Sequence, residues 1–198
     1  MRVFVVPGHR TITSGDFSLN DLCGATGRLD ILLRCINSAF FLSNGIRDEV
    51  ILYLVLLGYP EPPKTLKFLG NELKYLNPDE RSTGALVRTA LLKKIDNNWI
   101  KSTPGIYISQ KKFEDIIKEC VSNTNELIYL KETGVNIKDM QLQNPVVVLG
   151  DQYDLTLDEE KVLTELGAKT VSLGPRSLHS DHCITLVNNQ MDLNYKMV

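Results

Sequence analysis

The sequence predicts an α/β fold, a mainly parallel sheet flanked by helices, on three observations. Short apolar runs recur at 3–7, 49–57, 126–130, 145–150 and 169–173, each the length of a buried strand. Amphipathic stretches with apolar residues at helical spacing lie between them, and alternating strands and helices favour a parallel sheet. One run, "EVILYLVLL", is almost continuously apolar, as a parallel strand covered on both faces should be.

Taken in order, "VFVVP" at 3–7 reads as the first buried strand. Leu29, Leu32, Leu33, Ile36 and Phe40 then fall on one face of a helix over 29–43. The strand at 49–57 is broken by "GYPEPP", and "KTLKFLGNELKYL" reads as a strand pair hinged at Gly70–Asn71. A helix is expected over 81–95 and a short strand, "GIYIS", at 105–109. Over 110–121, Phe113, Ile116, Ile117, Cys120 and Val121 face inward, with Lys111, Lys112, Glu114, Asp115 and Lys118 toward water. "ELIYL" and "PVVVLG" are strands, and Thr156-x-x-Glu159 is a capping box opening a helix through Leu166. Gly167 stops that helix, "KTVSL" is the last strand, and a final helix begins near Ser180.

With 198 residues, 43% hydrophobic and 23% charged, the chain suits one globular domain over 1–198. A net charge of −2 projects no field toward nucleic acid, although a local basic groove is compatible with it. Cys23, Cys35, Cys120 and Cys183 form no C-x-x-C pair, a pattern of reduced thiols in a cytoplasm. The apolar run in "MRVFVVPGH" is too short for a signal peptide's core. "VILYLVLLG" is about half the roughly 20 residues of a membrane span. A cytoplasmic location follows as the expectation.

Three strands end in conspicuous loops, "YLKETG", "LGDQYDL" and "LGPRSLHSDHC", and parallel sheets bind ligands beyond the carboxyl ends of their strands. The absence of G-x-G-x-x-G and of G-x-x-x-x-G-K-[ST] argues against a dinucleotide or a P-loop phosphate site. His179, His182 and Cys183 suggest a metal, but ligands adjacent at 182 and 183 strain a tetrahedron, so no metal is expected. A pocket of backbone groups and leucines for a nucleoside such as adenosine fits the loops. Glycines that merely end strands fit them as well.

Four segments carry more. "TSGDFSLNDL", "GRLDILLRCINSAFFLSNGIRDEV", "LNPDERSTGALV" and "SLGPRSLHSDHCI" span nearly the whole chain in order. Together they resemble the archaeal tRNA pseudouridine-54 N1-methyltransferases, of the SPOUT class of S-adenosylmethionine (SAM) methyltransferases. Cys23 departs from that pattern, where a proline is expected. The resemblance implies a homodimer and a deep trefoil knot in about 126–198, a rare exception to unknotted chains. It also implies SAM as cofactor and pseudouridine-containing tRNA as partner. SAM contacts would come from Leu130, Gly150, Leu173, Gly174, Pro175, Arg176, Ser177, Leu178 and Cys183. Ile184, Leu186, Val187 and Met191 suit either a dimer face or the chain's own core.

Methylating N1 of pseudouridine requires loss of the N1 proton and stabilisation of charge on the ring oxygens. Asp30 is expected as the base and Arg28 as its electrostatic partner, with Asp79 as the rival base. "PDERS" around Asp79 also reads as an ordinary helix start. Cys183 is not expected to be a nucleophile, since transfer to a ring nitrogen needs no covalent enzyme intermediate. Lys64, Lys67, Arg88, Lys93, Lys94 and Lys101 are available for phosphate contacts. The alternatives are a ribosomal-RNA pseudouridine N1-methyltransferase and a non-catalytic RNA-binding knot protein.

Overall fold

A computed structural model describes residues 1–121 and 126–194. Its first half contains β1 (Arg2–Gly8), α1 (Leu29–Phe40), β2 (Phe41–Leu42), β3 (Gly45–Ile46), β4 (Val50–Leu56), β5 (Lys64–Leu69) and α2 (Glu80–Leu91). Then come β6 (Ile100–Thr103), β7 (Ile106–Ser109), α3 (Phe113–Val121), β8 (Leu127–Asn136), β9 (Val146–Val148), α4 (Leu157–Glu165), β10 (Lys169–Ser172) and α5 (Ser180–Asn194).

Eight strands form one sheet in the order β10-β8-β9-β1-β4-β5-β7-β6. Pairings from β10 across to β4 are all parallel, and those from β4 to β6 are antiparallel. The mainly parallel sheet expected from the sequence is present, extended on one side by an antiparallel ladder.

Apolar runs arise because both faces are covered. Along β1, Phe4 and Val6 enter one core with Leu52, Leu54 and Leu56 of β4. Val3 and Val5 enter the other with Tyr53 and Val55. Successive strand residues point to opposite faces, so a strand buried on both sides is apolar wherever no polar partner is supplied, as one is for Arg2 at the start of β1. Leu32, Leu33 and Ile36 of α1 and Ile184 and Val187 of α5 seal the first face. Phe113, Ile116 and Ile117 of α3 and Leu163 of α4 seal the second.

Some expected elements are corrected. The strand pair hinged at Gly70–Asn71 does not form: β5 ends at Leu69, a 3₁₀ turn follows over Gly70–Glu72, and β5 pairs with β7 instead. The helix expected over 29–43 stops at Phe40, where the chain turns extended into the two-residue hairpin of β2 and β3. The helix expected over 81–95 is shorter, Glu80–Leu91.

The α5 helix is tied to the start of the chain by polar contacts. Arg2, 3% exposed, donates to Asn188 Oδ1 at 2.9 Å and to Asp192 Oδ1 at 2.6 Å. Asn188 in turn donates to Ser38 O of α1 at 3.1 Å. Of the residues weighed for a dimer face, Ile184 and Val187 are fully buried within the chain, while Leu186 is exposed. No helix among the described residues is long and apolar enough to cross a membrane.

Candidate active site

Where β8, β9 and β10 turn away from the sheet, their loops enclose a cavity of about 670 Å³. The pairing of β10 with β8 jumps from Thr170–Tyr129 to Val171–Val135, so residues 130–134 leave the regular ladder, and Leu130, Lys131 and Glu132 reach the cavity wall. Leu130, Gly150, Leu173, Gly174, Arg176, Ser177, Leu178 and Cys183 lie on its wall. Pro175 belongs to the same loop, exposed and away from the lining. Arg28 and Ile31, from the start of α1, complete the wall.

The loops are fixed to one another through α5. The Ser180 hydroxyl lies 2.8 Å from both Gly150 O and Asp151 O, so its proton is shared between two carbonyls of the β9 loop. The Ser172 hydroxyl closes the β10 loop by donating to Gly174 O at 3.0 Å. Orphan backbone groups are satisfied where the chain must stay open to a ligand.

Arg28 and Asp30 are brought together. Arg28 Nε and Nη2 donate to Asp30 Oδ1 and Oδ2 at 2.9 and 3.0 Å, a two-pronged pair. Arg34 Nη1 adds a third contact at 3.2 Å. Burial of Asp30 opposes its ionisation, but the Arg28 hydrogen bonds and the charges of Arg28 and Arg34 prevail, holding it below the usual carboxylate range. The chain reaches this arrangement through left-handed backbone at Gly27 (φ 63°) and Arg28 (φ 70°). A Cβ at residue 27 would stand 1.8 Å from Arg10 O, so only glycine fits there. A left-handed arginine is costly backbone of the kind concentrated at functional sites.

Asp79 is placed elsewhere. It caps α2, with Oδ1 accepting from Ser82 N at 2.8 Å and Oδ2 from the Ser82 hydroxyl at 2.5 Å. Those bonds lower its pKa, and it is absent from the cavity wall.

No group of three or more potential metal ligands is found among the described residues. Cys183 is half-buried, and burial, followed by Glu132 and Asp181, pushes its thiol up to about 11. At neutral pH it is protonated, and only a thiolate is an effective nucleophile. Cys183→Ala should therefore leave turnover within about threefold of wild type in a methyl-transfer assay; a near-complete loss would assign the sulfur a chemical role.

The sequence reading missed His9. It directly follows β1, and its ring lies between Asp151 (Nδ1 to Oδ1, 3.0 Å) and Glu159 (Nε2 to Oε2, 3.0 Å). A signal was available, because β1 is itself a central parallel strand whose carboxyl end opens on the same edge as β9. The lysines considered for phosphate contacts behave differently from one another. Lys64 is buried and paired with Glu61 at 2.9 Å, Lys67 and Lys101 lie near Glu119 and Glu72, and Lys93 and Lys94 are exposed. Around the cavity itself the cations are Arg28, Lys131 and Arg176.

The model of a family described as SAM-dependent RNA methyltransferases matches residues 1–195. A tRNA (pseudouridine(54)-N(1))-methyltransferase of Methanosarcina acetivorans is 50% identical over 194 residues, covering 97% of this chain and 91% of the relative. The protein of the same name from Methanocaldococcus jannaschii is 41% identical over 198 residues, covering 97% of each. The crystal structure of Archaeoglobus fulgidus Nep1 bound to S-adenosylhomocysteine matches with a TM-score of 0.62 at 18% identity, over 85% of this chain and 72% of that one. That structure shares the fold.

Proposed function

The chain belongs to the family of SAM-dependent RNA methyltransferases, and we propose that it methylates N1 of pseudouridine at position 54 of tRNA. The observation that carries this reading is that Arg28, on the wall of the cavity that the β8, β9 and β10 loops enclose, is held in a two-pronged pair with Asp30 directly behind that wall.

The cavity suits SAM. Its volume of about 670 Å³ lies within the range of about 300–1,000 Å³ usual for small-molecule sites. Leu130, Leu149, Leu173 and Leu178 offer apolar surface to an adenine face, and Glu132 and Asp154 bring negative charge to the same wall. Nothing stands within 4 Å of where a Cβ on Gly174 would lie, so the backbone there is open to close approach. The β9 and β10 loops, with Cys183 as a small neutral neighbour, would hold the donor. When bound, SAM supplies an electrophilic methyl group on a sulfonium.

The chain's own residues supply the rest. Asp30 accepts the N1 proton, and as its carboxylate is neutralised the uracil ring gains the negative charge. Arg28, already paired with Asp30, keeps an anionic neighbour throughout and stabilises the ring oxygen. Holding the reacting atoms in line contributes roughly 7–11 kcal/mol toward the barrier. Uridine is rejected chemically, because its N1 is bonded to the ribose and has no proton to lose.

We also infer a trefoil knot in about 126–198. Support comes from topology: β9 lies between β8 and β1, so the chain must cross to the far side of β8 to form β10, and α5 then returns to α1. A homodimer and a cytoplasmic location complete the reading, with Leu186 and Leu193 of α5 left exposed for a partner. Incubating the protein with SAM and matched tRNA transcripts, with uridine or pseudouridine at position 54, tests the function by nucleoside mass spectrometry. N1-methylpseudouridine should appear from the pseudouridine transcript alone. Methylation of the uridine transcript, or of neither, overturns the assignment.

A further inference from the structure

We propose that His9 is a positioning residue for the methyl donor, its ring bridging Asp151 and Glu159 so that the turn at 150–153 keeps the shape of the cavity wall. This rests on the reading of that cavity as the SAM site. His9 holds Asp151 twice, through its backbone N–H to Oδ2 at 2.9 Å and through Nδ1 to Oδ1 at 3.0 Å. Asp151 Oδ1 also accepts from Tyr153 N at 2.9 Å, which closes the turn. Gly150, Asp151, Gln152 and Tyr153 all line the cavity, so the turn that His9 grips is part of its wall.

The ring's other nitrogen reaches Glu159 Oε2 at 3.0 Å. Glu159 has further partners, accepting from Thr156 N and the Thr156 hydroxyl at 2.8 Å each, so α4 keeps its cap without His9. Asp151 keeps the backbone N–H groups of His9 and Tyr153 but loses its charged side-chain donor, the link that ties the turn to the ring. The consequence of removing the ring therefore falls on the cavity wall and spares the helix.

Two carboxylates facing one imidazole favour its doubly protonated form, since each nitrogen then donates. Hydrogen bonds that the ring donates to Asp151 and then Glu159 push His9 up to about 9 against the opposing effect of burial. Asp151 and the Tyr153 ring face it from the turn, and Glu159 faces it from α4. Arg10, its chain neighbour, places its guanidinium 4.9 Å from the Tyr153 ring centroid. With an ordinary value near 6.5 in the unfolded chain, the clamp contributes fully below that pH and is lost as pH rises through about 9.

Calorimetric titration of wild type and His9→Gln with SAM tests this. At pH 7.5 the variant should bind SAM about tenfold more weakly, as loss of a charge-assisted hydrogen bond predicts, with turnover at saturating SAM unchanged within about twofold. By pH 10 the two affinities should converge, because the wild-type ring is then neutral. Equal affinities at pH 7.5, or a ratio constant with pH, overturn the proposal. A test on wild type alone needs no variant to fold. Binding is reciprocal, so saturating SAM should raise the His9 midpoint followed by nitrogen NMR. An unmoved midpoint overturns the proposal. Wild-type protein that binds no SAM would overturn the cofactor reading first, and this inference with it.

Discussion

Asp30→Asn is expected to lower turnover at saturating SAM and tRNA by about 10²–10³-fold, the scale of lost general-base catalysis. SAM affinity should stay within about twofold, because Asp30 is absent from the cavity lining. The carboxylate is well placed to be missed: it is 6% exposed and faces two guanidinium groups, from Arg28 and Arg34. Asparagine keeps one acceptor for Arg28 but has no basic oxygen, so the N1 proton must pass to solvent.

That distinction has its own signature. Asp30 sits below the usual carboxylate range, so it is deprotonated throughout neutral pH and the wild-type rate should be flat there. In the variant the rate should climb with pH, about tenfold per unit, as hydroxide replaces the lost base. A flat, depressed profile would instead make Asp30 a holder of Arg28, with the proton leaving by another route. Wild-type turnover in Asp30→Asn would remove it from the chemistry altogether.

Parts of this molecule are written plainly in its sequence, and physics says which. The β1, β4 and β9 strands bury both faces, so apart from the paired Arg2 at the start of β1 their residues are almost all apolar, and the run is visible without knowing its neighbours. The α4 start is equally legible, because Thr156 and Glu159 satisfy each other's backbone within three residues. In contrast, β6 ("IKST") is an edge strand, whose solvated face imposes no apolar pattern. Besides β4, the partner of β5 is β7, from Phe68–Ile106 to Thr65–Ser109, a choice made by the sheet rather than by local spacing. His9 sits at a legible place, the end of a central parallel strand, but its role was hidden for the same reason: its partners lie 142 and 150 residues away. The three loops of the cavity were found because parallel topology predicts where ligands go, even before any side chain is placed.

Gly150→Ala is expected to weaken SAM binding by about 100-fold or more while leaving the sheet folded. A Cβ built on Gly150 would stand 2.2 Å from Tyr153 O, a contact with backbone that no rotamer change can relieve. Either the 150–153 turn opens or Gly150 itself shifts, and each movement pulls against the Ser180 hydroxyl on Gly150 O and Asp151 O. Overpacking of this kind costs typically about 1–3 kcal/mol. The adjacent strand resists the strain, since β9 is hydrogen-bonded to β8 on one side and β1 on the other. The yielding element is therefore the turn, which is the cavity wall. Circular dichroism and melting should show a folded protein a few degrees less stable, with calorimetry showing little heat on adding SAM. A variant that binds SAM as wild type does would mean that the turn relaxes freely, and that the cavity's shape does not depend on the close approach of Gly150 to Tyr153.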